Sequence, residues 1–148
     1  MKMPSAAAAA VLLFAVAAFA RTDLDTLSTQ TPAEMRFVPD PVHKGYQTAV
    51  LVGDPTKAGV YSVHLKLPAN ITIDPHTHGE KWRIATVISG TLYYAQGSTF
   101  DEAKLRPLPP GSLIVEPVNV PHFARTKDEP VLLNIVGEGP ASTLPVKR

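Results

Sequence analysis

Two short segments of this chain place histidine beside turn residues. The first, DPHTHGE, contains His76 and His78, and the second, EPVNVPHFA, contains His122. Residues two apart in a β-strand project to the same face, so His76 and His78 can offer two imidazoles to one ion. Neutral imidazole suits zinc, iron, copper, nickel and manganese to differing degrees. Such a pair is a weak signal alone, and its meaning depends on the elements that position it.

The sequence around these histidines consists of short apolar runs separated by turn residues. Residues 59–68 alternate apolar and polar side chains with the period of two that is typical of a half-buried strand. Further strands are predicted at 46–53, 71–74, 82–88, 91–95, 113–118 and 131–136. The clear helical signal is at 99–105, where Thr99 and Glu102 have capping-box spacing. Many short strands with so little helix predict an all-β antiparallel sandwich or small barrel, with at most one or two short helical turns.

Taken together, the two histidine segments resemble the paired sequence motifs of the cupin superfamily. The first motif corresponds to Asn70, His76, His78, Arg83 and Gly90. The second corresponds to Gly111, Pro117, Asn119, His122 and Thr126. Asn70 and Asn119 stand where the family pattern has glycine. After glycine, asparagine is the residue that best tolerates left-handed backbone, so both turns can be retained.

The resemblance implies a single antiparallel jelly-roll β-barrel over residues 35–148, preceded by a flexible arm at 21–34, with a site in the mouth of the barrel. It also assigns the family's metal ligands to His76, His78 and His122. Because many cupins bind no metal, these histidines could instead be barrel-lining side chains only. Cupin resemblance further suggests a homodimer.

Arg83 occupies the position at which the cupin motif has its glutamate. A guanidinium group is always charged and binds no cation, so the site either uses three histidines or takes a carboxylate from Glu80 or Glu116. Glu116 interrupts an apolar strand, where a carboxylate needs a partner, a ligand or a catalytic role. An ion pair with Arg83, or an outward-facing strand end, are its alternatives. Arg83 itself either orients an anionic group, pairs with Glu80 or stacks on Trp82.

Four other residues have side chains that could take part in chemistry, but their sequence context is less specific. His64 shares the polar face of its strand, so we expect it to be exposed to solvent. Tyr93 and Tyr94 face opposite sides of one strand, so one of them can reach the interior, as a proton donor or in core packing. His43 is expected in a loop.

The first twenty residues have the three-part layout of a secretory signal peptide, with Lys2, an apolar run at 6–20 and an Ala18-Phe19-Ala20 ending. The apolar run is shorter than the ~20 residues that span a bilayer. We therefore expect cleavage before Arg21 and export to the periplasm or the medium, without membrane attachment afterwards.

The remaining chain has no net positive charge and no basic cluster that would bind a polyanion. Without Lys2 it has 14 − 1 = 13 basic residues against 13 acidic ones, and these are not clustered. Nucleic acid is therefore not an expected partner. The chain has no cysteine, which excludes disulfides and thiolate chemistry.

These features favour an exported, metal-dependent enzyme that acts on a small, anionic organic molecule. A three-histidine centre holding Fe, Mn, Zn, Ni or Cu leaves coordination positions open for catalysis. Arg83 would orient an anionic group, and Glu116 would be the acid or base. The resemblance implies dioxygenase chemistry first, with isomerase or lyase chemistry as alternatives. A non-catalytic periplasmic module that senses or carries a small ligand or metal is a second hypothesis, and a purely structural cupin is a third.

Overall fold

The computed structural model describes residues 23–146, and these residues form two antiparallel β-sheets. The strands are β1 (Val38–Pro39), β2 (Gln47–Val52), β3 (Gly59–Leu67), β4 (Thr72–His78), β5 (Trp82–Ser89), β6 (Leu92–Gln96), β7 (Arg106–Leu108), β8 (Leu113–Pro117), β9 (His122–Arg125), β10 (Val131–Gly139) and β11 (Thr143–Pro145). Helical structure within the described residues is limited to two 3-10 turns, Pro32–Glu34 and Glu102–Lys104. The predicted all-β class is confirmed.

The chain crosses between the two sheets repeatedly. The larger sheet has the order β1-β2-β3-β10-β5-β8, and the smaller has the order β11-β4-β9-β6-β7. From β3 to β6, and again from β7 to β11, each strand lies in the other sheet from the strand before it, as expected for the predicted jelly roll. The consequence for function is that residues from β4, β9 and β6 face residues from β5 and β8 across the interior.

The interior is built from the alternation seen in the sequence. Tyr61, Val63 and Leu67 of β3 are buried, as are Leu133 and Ile135 of the neighbouring β10. Their side chains belong to one hydrophobic cluster that both sheets share. Large apolar side chains that leave water in this way supply the main stabilising term of the fold.

The ring of Tyr61 lies directly over a glycine of the adjacent strand. Gly137 pairs with Tyr61 in the β3–β10 ladder. A Cβ atom at position 137 would approach the Tyr61 hydroxyl oxygen to 2.8 Å and two ring carbons to 3.0 Å. The absent side chain therefore makes room for the ring, and it determines where the Tyr61 hydroxyl points.

Both predicted asparagine turns are confirmed. Asn70 has φ 58° and Asn119 has φ 59°, which is left-handed backbone. The Asn119 N–H donates to the carbonyl of His78 at 2.9 Å. This hydrogen bond fastens the turn before β9 to the end of β4, so it helps to bring His122 beside His78.

Several local predictions are corrected by the structure. The strands β1, β7, β9 and β11 were not expected, and β4 extends beyond Asp74 to include the histidine pair. The capping box predicted at Thr99 and Glu102 does not form. Asp101 caps the 3-10 turn instead, because its side chain accepts a hydrogen bond from the Ala103 N–H at 3.0 Å.

The predicted signal peptide falls outside the residues that the structure describes. Between residues 23 and 146, no helix is long and apolar enough to cross a membrane.

Candidate metal centre

The three histidines converge on one point between the sheets. His76 and His122 are opposite one another in the β4–β9 ladder, and His78 is two residues further along β4 on the same face. One ring nitrogen from each histidine lies within 4.8 Å of the other two. The ring centroids are 4.4 to 5.0 Å apart. The predicted set of three is therefore brought together by two neighbouring strands.

Main-chain carbonyls fix the orientation of all three rings. Each Nδ1 atom lies 2.8 to 3.0 Å from a carbonyl oxygen. For His78 this carbonyl belongs to Ser142, which is 64 residues away in sequence. A carbonyl only accepts hydrogen bonds, so Nδ1 carries the hydrogen, and a neutral ring then presents the lone pair of Nε2. Metal-binding histidines are commonly oriented in this way.

The nitrogens that point into the site are buried and unpaired. Among the described residues, Nε2 of His78 and Nε2 of His122 have no hydrogen-bond partner. Burial, reinforced by the positive charge of Arg83, lowers the pKa of His78 to about 3. Burial also lowers the pKa of His76. Neutral imidazoles whose free lone pairs converge are the donor set that a divalent transition metal requires, so these residues fit such an ion.

Arg83 and Glu116 reach the same site from the opposite sheet. They are partners in the β5–β8 ladder, and Arg83 Nε donates to Glu116 Oε2 at 2.6 Å. Glu116 is only 6% exposed. Its carboxylate oxygens lie 3.7 Å from His78 Nε2 and 3.5 Å from His122 Nε2. Arg83 therefore faces the histidines, and Glu116 lies between its guanidinium and two imidazoles. Trp82, the preceding residue of β5, projects to the opposite face from Arg83, and its indole N–H donates to Glu138.

Glu80 holds the other side of the guanidinium. Its Oε1 atom accepts from the Tyr61 hydroxyl at 2.9 Å and lies 3.7 Å from an Arg83 nitrogen. Its Oε2 atom accepts from the Ser142 N–H at 3.2 Å. With its carboxylate engaged in this way, Glu80 supports Arg83 and has no contact with the histidine Nε2 atoms.

These contacts form a closed network that begins and ends at His78. The Ser142 carbonyl orients His78, the Ser142 N–H holds Glu80, Glu80 and Glu116 flank Arg83, and Glu116 returns to His78. We call His78, Ser142, Glu80, Arg83 and Glu116 the polar ring. Nothing in the sequence marked Ser142, because it acts through its main chain.

Tyr94 is the tyrosine that faces the interior. Its ring stacks on His122 with centroids 5.2 Å apart, and its hydroxyl lies 3.5 Å from Glu116 Oε1. Burial, followed by the negative charge of Glu116, raises the pKa of Tyr94, which keeps the phenol protonated. Tyr93 faces the other way, beneath the ammonium group of Lys127.

The two remaining histidines have different outcomes. His43 lies in the loop between β1 and β2, as expected, and its ring stacks on Tyr46. His64 was expected to be exposed, but it is half-buried, and its Nδ1 has no partner within residues 23–146. Two residues further along β3, the ammonium group of Lys66 lies over the ring of Phe37.

The site opens into a cavity of about 720 Å³ between the sheets. The three histidines, Arg83, Glu116 and Tyr94 contribute polar groups to its wall. The apolar part of the wall includes Val63, Leu65, Leu67, Ile73, Leu92, Ala124, Leu133 and Ile135. A largely apolar cavity with a few convergent polar groups is the usual form of a small-molecule site, and this volume is in the usual range.

Solved structures identify the architecture. The chain is similar to the polyketide cyclase RemF from Streptomyces resistomycificus, with 16% identity, 83% of this chain and 87% of that chain covered, and a TM-score of 0.65. An RmlC-like cupin from Ralstonia eutropha JMP134 has 15% identity, coverage of 77% and 69%, and a TM-score of 0.60. The DMSP lyase DddQ from Ruegeria pomeroyi DSS-3 has 17% identity, coverage of 78% and 64%, and a TM-score of 0.60.

No family model matches the sequence, and no curated protein resembles it significantly. The fold and the site nevertheless define a class. This chain has the cupin fold, the double-stranded β-helix barrel, and it carries three histidines that could bind a metal inside that barrel.

Proposed function

We propose that this protein is an enzyme that binds a divalent transition metal through His76, His78 and His122 and acts on a small organic molecule. The observation that carries the proposal is the pair of buried, unpartnered Nε2 atoms on His78 and His122, at the wall of an open cavity. Leaving a buried polar atom unsatisfied costs about 1–3 kcal/mol. A metal ion removes that penalty at both atoms.

A metal bound here would act as a Lewis acid toward an oxygen of the substrate. The chain's own groups supply the proton chemistry. Tyr94 carries a proton on its hydroxyl oxygen, within 3.5 Å of a Glu116 carboxylate oxygen, so one residue can donate where the other accepts. The apolar wall holds the carbon skeleton of the substrate and excludes water from it.

The charge of the site favours an acid or a carbonyl compound with an apolar body. Arg83 is flanked by Glu116 and Glu80, so its positive charge is largely compensated within the protein. Affinity for an anionic group then comes chiefly from the metal, with Arg83 adding to the field. A cavity of about 720 Å³ accommodates a substrate considerably larger than the polar group that the metal would bind.

The phenol–carboxylate pair favours proton-transfer chemistry, so we place isomerisation or elimination ahead of dioxygen insertion. Two proteins of similar fold carry the names cyclase and lyase, which supports this order. The layout of residues 1–20 supports action after export. A binding module without turnover is the competing proposal, because a three-histidine site in a cavity also suits a sensor.

Elemental analysis of the protein purified from the compartment to which it is exported tests the metal. We expect close to one transition-metal ion per chain, lost in His122→Ala and retained in His43→Ala, a matched change outside the triad. Both variants should remain folded by circular dichroism. A wild-type protein free of transition metal would refute the proposal.

Turnover is tested separately with a panel of small organic acids and carbonyl compounds. Mass spectrometry follows each compound with the metal-loaded protein, under oxygen and under nitrogen. Product formed in both atmospheres indicates isomerase or lyase chemistry, and product formed only under oxygen indicates an oxygenase. A compound that binds and is recovered unchanged supports the binding module.

A further inference from the structure

We propose that Glu116 is a fourth protein ligand of the metal, and that Arg83 is the positioning residue that holds its carboxylate in place. The inference rests on the proposed function, because it requires a metal at the three histidines. It changes the roles of both residues. Glu116 binds the ion directly and no longer serves as the proton acceptor, so Tyr94 is left as the proton-bearing group, and Arg83 acts through Glu116.

The Glu116 carboxylate lies at the distance from two imidazoles that is expected between ligands of one ion. The carboxylate oxygens of Glu116 lie 3.5 and 3.7 Å from the Nε2 atoms of His122 and His78. Around a tetrahedral ion with bonds of about 2.1 Å, neighbouring ligand atoms are about 3.4 Å apart. The same separations exceed the roughly 2.7–3.2 Å of an N–H···O hydrogen bond. The carboxylate is therefore spaced from both imidazoles as a fellow ligand is, and not as a hydrogen-bond acceptor is.

The imidazole lone pairs of His78 and His122 face the site without a hydrogen-bond donor among the described residues. Because Nδ1 of His78 and Nδ1 of His122 face carbonyl oxygens, each neutral ring presents an Nε2 lone pair to the site. Those buried atoms find no donor among the described residues, and the oxygens 3.7 and 3.5 Å from them belong to the Glu116 carboxylate, which also only accepts. Acceptors that face one another in a buried site repel, unless a cation lies between them.

The Glu116 carboxylate is supported by Arg83 and by the residues that hold Arg83. Arg83 Nε fixes Glu116 Oε2 at 2.6 Å, while Glu80 holds the other side of the guanidinium. Glu80 is itself held by the Tyr61 hydroxyl and the Ser142 N–H. Rotation of the Glu116 carboxylate is therefore restrained from one side, which leaves its remaining lone pairs for the ion.

The carboxylate comes from β8 in this protein and not from β5, as it would in the cupin motif. In the first motif the acid would come from position 83 on β5. Here that position holds arginine, and the acid comes from its ladder partner Glu116 on β8. With a divalent ion, neutral histidines, Arg83 and two carboxylates, the formal charge is 2 + 1 − 2 = +1. The site then retains one positive charge for an anionic substrate group.

Cobalt(II) is a suitable probe, because its visible absorption bands report the number and type of its ligands. We compare wild-type protein with Glu116→Gln and Glu116→Ala, and use Glu138→Gln, an acid-to-amide change at a partly exposed position of β10 outside the site, as the matched control. Both Glu116 variants should shift the cobalt bands and weaken cobalt binding by at least about tenfold. The control should leave bands and affinity unchanged.

The exchanged pair Arg83→Glu with Glu116→Arg tests the positioning role. If the two strands are equivalent sources of the carboxylate, this double variant recovers cobalt affinity to within about tenfold of wild type and restores a wild-type-like spectrum. Arg83→Gln alone should alter the spectrum, and Arg83→Lys should restore it, because lysine can still hold the carboxylate.

Each outcome decides between the proposals. If wild-type protein binds cobalt and His122→Ala does not, the metal centre stands. Cobalt bands that are identical in wild type and both Glu116 variants then overturn the fourth ligand and leave the three-histidine site intact. If wild-type protein binds no cobalt, the inference and the proposed function both fail.

Discussion

Replacing His122 with phenylalanine should abolish metal binding and yet leave the metal-free protein as stable as wild type, or more stable. His122 is 3% exposed, and its Nε2 atom has no partner among the described residues. Phenylalanine removes this buried, unpaired nitrogen, which should raise the free energy of unfolding by about 1–3 kcal/mol. It also removes the hydrogen bond from Nδ1 to the Val120 carbonyl, which should lower the free energy of unfolding by about 0.5–1.5 kcal/mol. The aromatic stack on Tyr94 is kept. The net change therefore lies between about 0.5 kcal/mol of destabilisation and about 2.5 kcal/mol of stabilisation.

Metal should reverse this order. Wild-type protein gains about 2.7 kcal/mol at a free metal concentration of one hundred times the dissociation constant, and His122→Phe gains nothing. Urea denaturation, once with EDTA and once with excess zinc, measures both free energies of unfolding. His76→Phe is the control within the triad, because the Nε2 atom of His76 is not among the buried, unpartnered atoms and its removal brings no gain in EDTA. A His122→Phe protein that is more than 1 kcal/mol less stable than wild type in EDTA, or that zinc stabilises equally, would refute the reasoning.

Three further predictions concern the surroundings of the site, all measured by urea denaturation in EDTA. Tyr61→Phe removes a 2.9 Å hydrogen bond to the buried Glu80 carboxylate and should destabilise by about 1.5–3 kcal/mol. Tyr94→Phe, whose contact is 3.5 Å, should cost less than about 1 kcal/mol, and equal losses would contradict the stronger hydrogen bond assigned to Tyr61. Burial lowers the pKa of His64, so the unfolded chain binds more protons at this residue than the folded one does. Stability should therefore fall as the pH drops below about 6.5. His64→Gln should lose less stability between pH 7.5 and pH 5, and parallel curves for the two proteins would show that His64 does not contribute. Asn119→Ala should lower the free energy of unfolding by about 1–2 kcal/mol, because alanine disfavours the left-handed backbone at φ 59°. Asn119→Gly should stay within about 0.5 kcal/mol of wild type. An alanine variant as stable as the glycine variant would argue against that conformation.

The parts of the fold that sequence reasoning recovered are those determined by local pattern. The period of two in β3 follows from one half-buried face, and the left-handed turns at Asn70 and Asn119 follow from the conformational range of asparagine. His76 and His78 were placed together because a strand repeats its direction every two residues. Each of these inferences depends on a few neighbouring residues.

The strand that carries His122 lacked such a pattern. In β9, His122, Phe123 and Ala124 are all buried, because Phe123 packs on Phe100 outside the sheet while its neighbours face the interior. A strand covered on both faces shows no alternation, so periodicity could not reveal it.

The arrangement around Arg83 was equally beyond local pattern. Sequence alone left Glu80, Glu116 and Trp82 as possible neighbours. The choice was made by the register between β5 and β8, which sets Arg83 opposite a residue 33 positions away. Register between distant strands is a property of the assembled sheet and cannot be obtained from neighbouring residues. Glu80 is nearer to Arg83 in sequence, but Glu116 is nearer in space, at 2.6 Å against 3.7 Å.

The division of the site between the two sheets has a mechanical consequence. The histidines belong to the smaller sheet, whereas Arg83 and Glu116 belong to the larger one. An ion held by both groups would be a removable cross-link through the middle of the barrel. In a chain without cysteine, it would fasten the two halves as a disulfide does elsewhere, and its release would loosen them.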